Sequence, residues 1–181
     1  MKKYHAKSLA STIARTGMGR INYPFLIKPH KPTPEARAVY SISYIFPKDD
    51  IEAKEILDEA IKDAEAKGLK KFGPGFTDVR YPIKDGDVKG DESYQNQWYI
   101  DPTNAKKVTI LDENCDPLDP EDIYSGCYAR CVIQFYPYYH RKDDGTINKG
   151  ISASLQSIQF LADGEPLYEA RHSAADDYAD D

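Results

Sequence analysis

Hydrophobic and polar residues alternate with a period of two along most of the chain, and with a helical period along one stretch only. Ser8 to Ala14 reads as a first strand, broken by Thr16-Gly17-Met18-Gly19. Arg20 to Tyr23 extends again as far as Pro24. Lys28 to Pro34 sets three prolines among basic residues and predicts a loop. Arg37 to Phe46 is rich in β-formers, ends at Pro47 and predicts a strand. Asp49 and Asp50 can cap a helix that starts near Ile51. Ile51, Ile56, Leu57, Ala60, Ile61 and Ala64 give that helix one apolar stripe, Gly68 is its natural stop, and its acids face solvent. Lys70 to Gln97 predicts mostly loop, and Trp98 to Ile100 and Lys107 to Leu111 predict short strands. Asp116 to Asp122 reads as an acidic loop. Tyr124 to Tyr139 is a long strand, Asp144-Gly145 a hairpin turn, and Gly150 to Ala162 the return strand. In that return strand Ile151, Ala153 and Leu155 share one parity, while Ile158 and Phe160 share the other. A β-bulge near Gln156-Ser157 would keep both sets in the core.

The order predicts a mainly β domain over residues 1–170 with one inserted helix, followed by a flexible acidic tail over 171–181. One helix inserted into a closed antiparallel sheet is compatible with an OB-type barrel. The side of the Arg37–Phe46 strand that faces inward is left open. The long strand separates into two faces. Cys127, Ala129, Cys131, Ile133 and Phe135 form a core face. Tyr128, Arg130, Val132, Gln134, Tyr136 and Tyr138 form the other, and it offers aromatic platforms, a cation and an adaptable amide. Bases stack on aromatics and phosphates pair with cations, so this pattern suits a single-stranded nucleic acid. It also suits a second layer or a dimer contact.

Charge changes the picture. The net charge is −6, which argues against a protein that merely coats phosphates. The cations are nevertheless gathered at one end. Lys2, Lys3, Lys7, Arg15, Arg20, Lys28, Lys31, Arg37 and Lys48 face Glu35 alone, whereas the last stretch holds Asp163, Glu165, Glu169, Asp176, Asp177, Asp180 and Asp181 against Arg171. Such asymmetry points to nucleic acid or to an interaction tail. Tyr supplies 14 residues against a single Trp, which fits half-buried strand faces as well as stacking. Cys115, Cys127 and Cys131 have no framework spacing, and no apolar run is long enough to span a bilayer. An intracellular protein with reduced thiols is expected. Cys127 and Cys131 lie too far apart along one strand face for a disulfide or a shared metal, so they read as buried thiols. The four histidines are scattered. Asp85-Gly86-Asp87 mimics a calcium loop but has Lys89 and Asn96 at ligand positions. Thr16-Gly17-Met18-Gly19-Arg20 lacks the rest of a P-loop. No metal, cofactor or catalytic constellation is expected.

Several segments together resemble a family of tailed-phage single-stranded DNA-binding proteins, long catalogued as a domain of unknown function. They are Thr16-Gly17-Met18-Gly19-Arg20 with Tyr23-Pro24, Tyr40-Ser41-Ile42-Ser43-Tyr44-Ile45-Phe46-Pro47, and Tyr124-Ser125-Gly126-Cys127-Tyr128-Ala129-Arg130. Gly150-Ile151, Leu155, Gln159-Phe160 and Asp163-Gly164-Glu165 follow, and the likeness runs from Ser8 to Tyr168. The resemblance implies an OB-fold core, a five-stranded Greek-key barrel, that binds single-stranded DNA without strong sequence preference in phage replication or recombination. The implied setting is the cytoplasm of an infected bacterium. It also implies an acidic tail that moderates DNA binding and recruits replication proteins. This tail closes on Tyr178-Ala179-Asp180-Asp181 rather than on an aromatic residue, which weakens the recruitment part. The candidate stacking residues are Tyr40, Tyr44, Trp98, Tyr128, Tyr136 and Tyr138. The candidate phosphate contacts are Arg15, Arg20, Lys28, Lys31, Arg130 and Arg141. A homodimer is compatible with the same pattern. The alternative reading is a virion or interaction module whose Tyr-rich face meets a protein partner.

Overall fold

The computed structural model describes residues 4–167. A hairpin opens it, with β1 at Lys7–Ala10 and β2 at Ile13–Arg15. Then come β3 at Gly19–His30, β4 at Val39–Pro47, helix α1 at Ile51–Phe72 and β5 at Lys84–Asp85. The short strands β6 (Gln97–Ile100), β7 (Thr103–Asn104) and β8 (Thr109–Leu111) precede the long hairpin of β9 (Tyr128–Arg141) and β10 (Ile147–Ala162).

Pairing closes five of these strands into a barrel. β3 runs antiparallel to β4, and β4 to both β6 and β7. β7 lies parallel to β10 through Thr103 and Ser154, β10 runs antiparallel to β9, and β9 returns to β3 through Ala129 and Gly19. That order, with its one parallel contact, is the Greek-key barrel of the OB-fold. β2 extends the sheet beyond β9, and β8 lies against β10.

The alternation in β9 holds: Ala129, Cys131, Ile133 and Phe135 are buried. In β10 the register slips between Leu155 and Ser157, so Leu155 and Ile158 both reach the core. β4 meets Ile21, Leu57 and Phe135 in the core through Ile42, Tyr44 and Phe46. Its other face is covered as well, because the Tyr94 hydroxyl donates to Ser43 Oγ at 3.1 Å.

Four expectations are corrected. The single strand over Ser8–Ala14 is a hairpin that turns at Ser11-Thr12. β3 continues through Pro24 and Pro29 to His30, well into the stretch read as loop. Along the helix Ala53 takes a buried place while Ile51 is exposed, so the apolar stripe is rotated relative to the one read from the sequence. The helix also does not stop at Gly68. That glycine is buried under the Phe76 ring, and the chain runs on to Phe72 before Gly73 ends it. At the start, Asp50 caps as expected, accepting from the Ala53 amide at 3.1 Å. The tail over 171–181 lies outside the described residues.

Candidate nucleic-acid interface

In OB barrels, oligonucleotides bind across the outer face of strands two and three, between the loops that join strands one to two and four to five. Here that face belongs to β4 and β6. The flanking loops are 31–38, beside Lys28 and Lys31, and 142–146, beside Arg141. A defect in β3 shapes the near wall. Register passes from Asn22↔Ser43 directly to Phe25↔Ser41, so three steps along β3 match two along β4. Pro24 cannot donate a ladder hydrogen bond, which favours the irregularity at this position. Tyr23 takes φ 44, a left-handed conformation uncommon for a bulky residue. Its amide is satisfied locally by Asn22 Oδ1 at 2.9 Å. Asn22 is fixed in turn, since its Nδ2 donates to the Tyr94 hydroxyl and its Oδ1 accepts from Ser125.

The bulge leaves Tyr23 and Phe25 exposed at 43% and 39%. Phe25 stacks on His30 with centroids 3.7 Å apart. Lys89 lies within cation–π range of three rings, 4.4 Å from Tyr94, 4.7 Å from Tyr99 and 5.5 Å from Tyr23. Tyr23, Phe25, His30 and Lys89 border a concavity of about 240 Å³ floored by Ser41 and Ser43. A second concavity, of about 260 Å³, shares Asp101 with the first and brings in Arg80, Lys84, Tyr138 and Ser152. The two make one strip of aromatic faces and cations.

The segment that carries Lys89 and Tyr94 is clamped. Lys48 Nζ lies 2.6 Å from both Asp85 and Asp87. Those hydrogen bonds hold both carboxyls below the usual carboxylate range and raise Lys48. The aspartates of the calcium-like loop therefore serve an ion pair.

The candidate residues fall in several places. Tyr138 lines the strip, Lys28 and Arg141 are exposed at its ends, and Lys31 sits in the adjoining loop. Tyr136 is exposed at 43%, and Tyr40 is half-buried beside Asn104. Tyr44 is corrected: it is 1% exposed, its hydroxyl donates to Gly17 at 2.7 Å, and no ring face is open to a base. Trp98 is half-buried. It pairs opposite Phe46, packs on the core, and lies between Lys48 and Lys54 at 4.7 and 4.9 Å. Arg20 is a strut. Its Nε donates to the Gly126 carbonyl at 3.2 Å, its Nη2 donates to the Glu165 carbonyl, and the guanidinium lies over Tyr128. Arg15 and Arg130 meet elsewhere on the β2–β9 surface. Sequence reasoning did not single out Tyr23, Phe25, His30, Lys84 or Lys89, which line the strip. The one available signal was aromatic–Pro–aromatic, Tyr23-Pro24-Phe25, just before the basic loop.

A further concavity, of about 900 Å³, lies between α1 and Tyr81-Ile83. Glu55, Asp58, Glu59, Asp63 and Glu65 line it against Lys54 and Lys62, and that excess of negative charge disfavours phosphate. Cys127 and Cys131 are buried free thiols, and burial pushes Cys131 up to about 12. Among the described residues no helix is long and apolar enough to cross a membrane, and no three metal-ligating side chains gather.

Comparison with known proteins identifies the family. The family model described as Enterobacter phage Enc34, ssDNA-binding protein, matches residues 12–181. The solved single-stranded DNA-binding protein of bacteriophage Enc34 is 28% identical, with a TM-score of 0.71, over 98% of this chain and 99% of that one. The same phage protein in complex with single-stranded DNA aligns at 25% identity and a TM-score of 0.70, over 92% and 99% of the two chains. A curated relative, putative protein p50 of Acyrthosiphon pisum secondary endosymbiont phage 1, is 26% identical over 170 residues, 89% of each chain.

Proposed function

Since the chain belongs to the Enc34 single-stranded DNA-binding protein family, we propose that it binds single-stranded DNA along the strip between Tyr23 and Tyr138. The observation that carries this reading is the juxtaposition of exposed Tyr23 and Phe25 with Lys89 on the face where OB barrels hold oligonucleotides. Bases stack on the aromatic faces, and Lys28, Lys31, Lys84, Lys89 and Arg141 meet phosphates. Stacking accepts any base, so sequence preference is weak. The protein acts by binding, without catalysis, and covers DNA exposed during phage replication or recombination. Its acidic tail competes with DNA for the strip and offers a contact to replication proteins.

Fluorescence anisotropy with labelled oligo-dT tests the reading. Binding should weaken as salt rises, each phosphate contact adding about −0.7 to the slope of log K against log salt. Affinity that is flat between low and physiological salt would overturn it and favour a protein partner for the same aromatic face.

A further inference from the structure

Arg15 and Arg130 form a second cationic site away from the strip. Arg15 is paired with Val132 across β2 and β9, and Arg130 with Gln159 across β9 and β10. The two guanidiniums line one concavity of about 210 Å³ together with Ser157 and Gln159. Arg130 is held in place, with its Nε donating to Gln159 Oε1 at 2.7 Å and the Tyr4 ring 5.0 Å from its guanidinium carbon. The amide of Gln159 donates in turn to the Asp112 carbonyl. The Nε of Arg15 is shielded from solvent and has no hydrogen-bond partner among the described residues. Neither guanidinium forms an ion pair among those residues. Burial lowers the Arg130 pKa, and the neighbouring positive charge of Arg15 lowers it further.

Two like charges sheltered side by side destabilise the fold unless something offsets them. Structural arginines normally find a carboxylate or a set of carbonyls. Arg20 in the same barrel has two carbonyls.

We propose that Arg15 and Arg130 bind a backbone phosphate of single-stranded DNA that has left the strip, making a second anchor on the β2–β9 surface. This rests on the reading of the strip as the primary site. The spacing suits one strand. Arg130 and Tyr138 share a face of β9 eight residues apart, about 26 Å at 3.3 Å per residue. That length is about eight nucleotides at 3.4 Å per phosphate, and fewer when the strand is extended. It lies within the site sizes of about 4–16 nucleotides that OB-folds occupy.

The test uses the full chain and Arg15→Gln, with labelled oligo-dT of about 5 and about 20 nucleotides, shorter and longer than the roughly eight nucleotides that separate the two anchors. Arg15→Gln should bind the long oligonucleotide about tenfold more weakly, one charge-assisted contact's worth. Its salt slope should flatten by about 0.7 for the lost phosphate, and the short oligonucleotide should bind as it does to the parent. Its melting temperature should not fall, because a repulsion is removed. Unchanged affinity and slope for the long oligonucleotide overturn the proposal. So does equal weakening at both lengths, which would put Arg15 in the strip. A readout that does not need DNA is the Arg15 and Arg130 Nε–H resonances during titration with inorganic phosphate. Saturable shifts of both support the anchor, and their absence overturns it. If the parent binds neither oligonucleotide, the strip reading fails, and the phosphate titration alone decides whether the pocket takes an anion.

Discussion

Tyr23 and Tyr44 are the same side chain put to opposite uses. Tyr44 fills the barrel and donates to Gly17, whereas Tyr23 is turned outward by a left-handed backbone beside Pro24. Strain of this kind persists where the surroundings over-determine it, and here Asn22 does so through Tyr94 and Ser125. Tyr23→Ala and Phe25→Ala should each cost roughly 1–3 kcal/mol of oligonucleotide binding with little change in melting temperature, and Tyr23→Phe should retain most of the affinity. Tyr44→Phe should do the reverse, lowering stability by roughly 0.5–1.5 kcal/mol for its lost hydrogen bond and leaving binding intact. Anisotropy and thermal melts on the same four proteins separate the cases, and loss of binding in Tyr44→Phe would reverse the assignment. Alternation could not distinguish these tyrosines. Both faces of β4 are covered, one by the core and one by Tyr94, so neither parity of that strand marks solvent.

Among the elements, α1 and the 85–96 segment show how tertiary contacts overrule local signals. Gly68 looks like a helix stop because glycine is a poor helix former. It persists within the helix because a Cβ there would lie 2.3 Å from the Phe76 ring. Gly68→Ala should therefore destabilise by about 1–3 kcal/mol through overpacking, against a propensity gain of about 1 kcal/mol. A rise in melting temperature would show that Phe76 yields freely. The 85–96 segment depends on Lys48. Asp85 and Asp87 have folded-state pKa values below their unfolded ones, so their contribution is present above about pH 4 and fades as pH falls through the folded values. Lys48 is raised, so its contribution is present below about pH 10 and fades as pH rises beyond that. The clamp is thus constant through neutral pH. Amide exchange in residues 85–96 should stay slow down to about pH 4 in the parent. In Lys48→Met it should be fast at pH 7, with weaker oligonucleotide binding because Lys89 and Tyr94 lose their support. Equal exchange in both proteins would remove the clamp from the account. The long β9–β10 hairpin was legible down to its bulge, since apolar parity can slip only where an extra residue is inserted. The strip was not legible. Lys89 meets both Tyr23 and Tyr99 through pairings between distant stretches of chain, and no local pattern encodes those.

At the scale of the molecule the opposed charges of the two ends bear on the proposed competition between tail and DNA. Residues 163–167 are pinned to the barrel. Arg20 holds the Glu165 carbonyl, Tyr124 donates to Asp163 at 2.7 Å, and the Leu167 amide donates to Ser125. Ser125 in turn bonds Asn22, the neighbour of Tyr23. The chain therefore leaves the barrel close to the near end of the strip. From Leu167 to Asp176 is nine residues, a reach of at most about 30 Å at 3.3–3.6 Å each. Asp176, Asp177, Asp180 and Asp181 lie outside the described residues; under the proposed competition they take the place of phosphates at cations such as Lys28, Lys31 and Lys89. Each encounter is weak and is screened beyond about 8 Å at physiological salt. Tethering nevertheless keeps the local concentration of carboxylate high, which is the basis for the proposal that the tail takes phosphate positions part of the time. Deleting residues 172–181 should tighten binding to oligo-dT, most at low salt, and speed association. Thermal stability should hardly change, because the pinned residues 163–167 are kept. Anisotropy and stopped-flow at two salt concentrations on full-length and truncated protein check this. Equal affinities at low salt would rule out competition and leave the tail a role in solubility or partner recruitment. A tightening that persists undiminished at high salt would rule out charge as its cause.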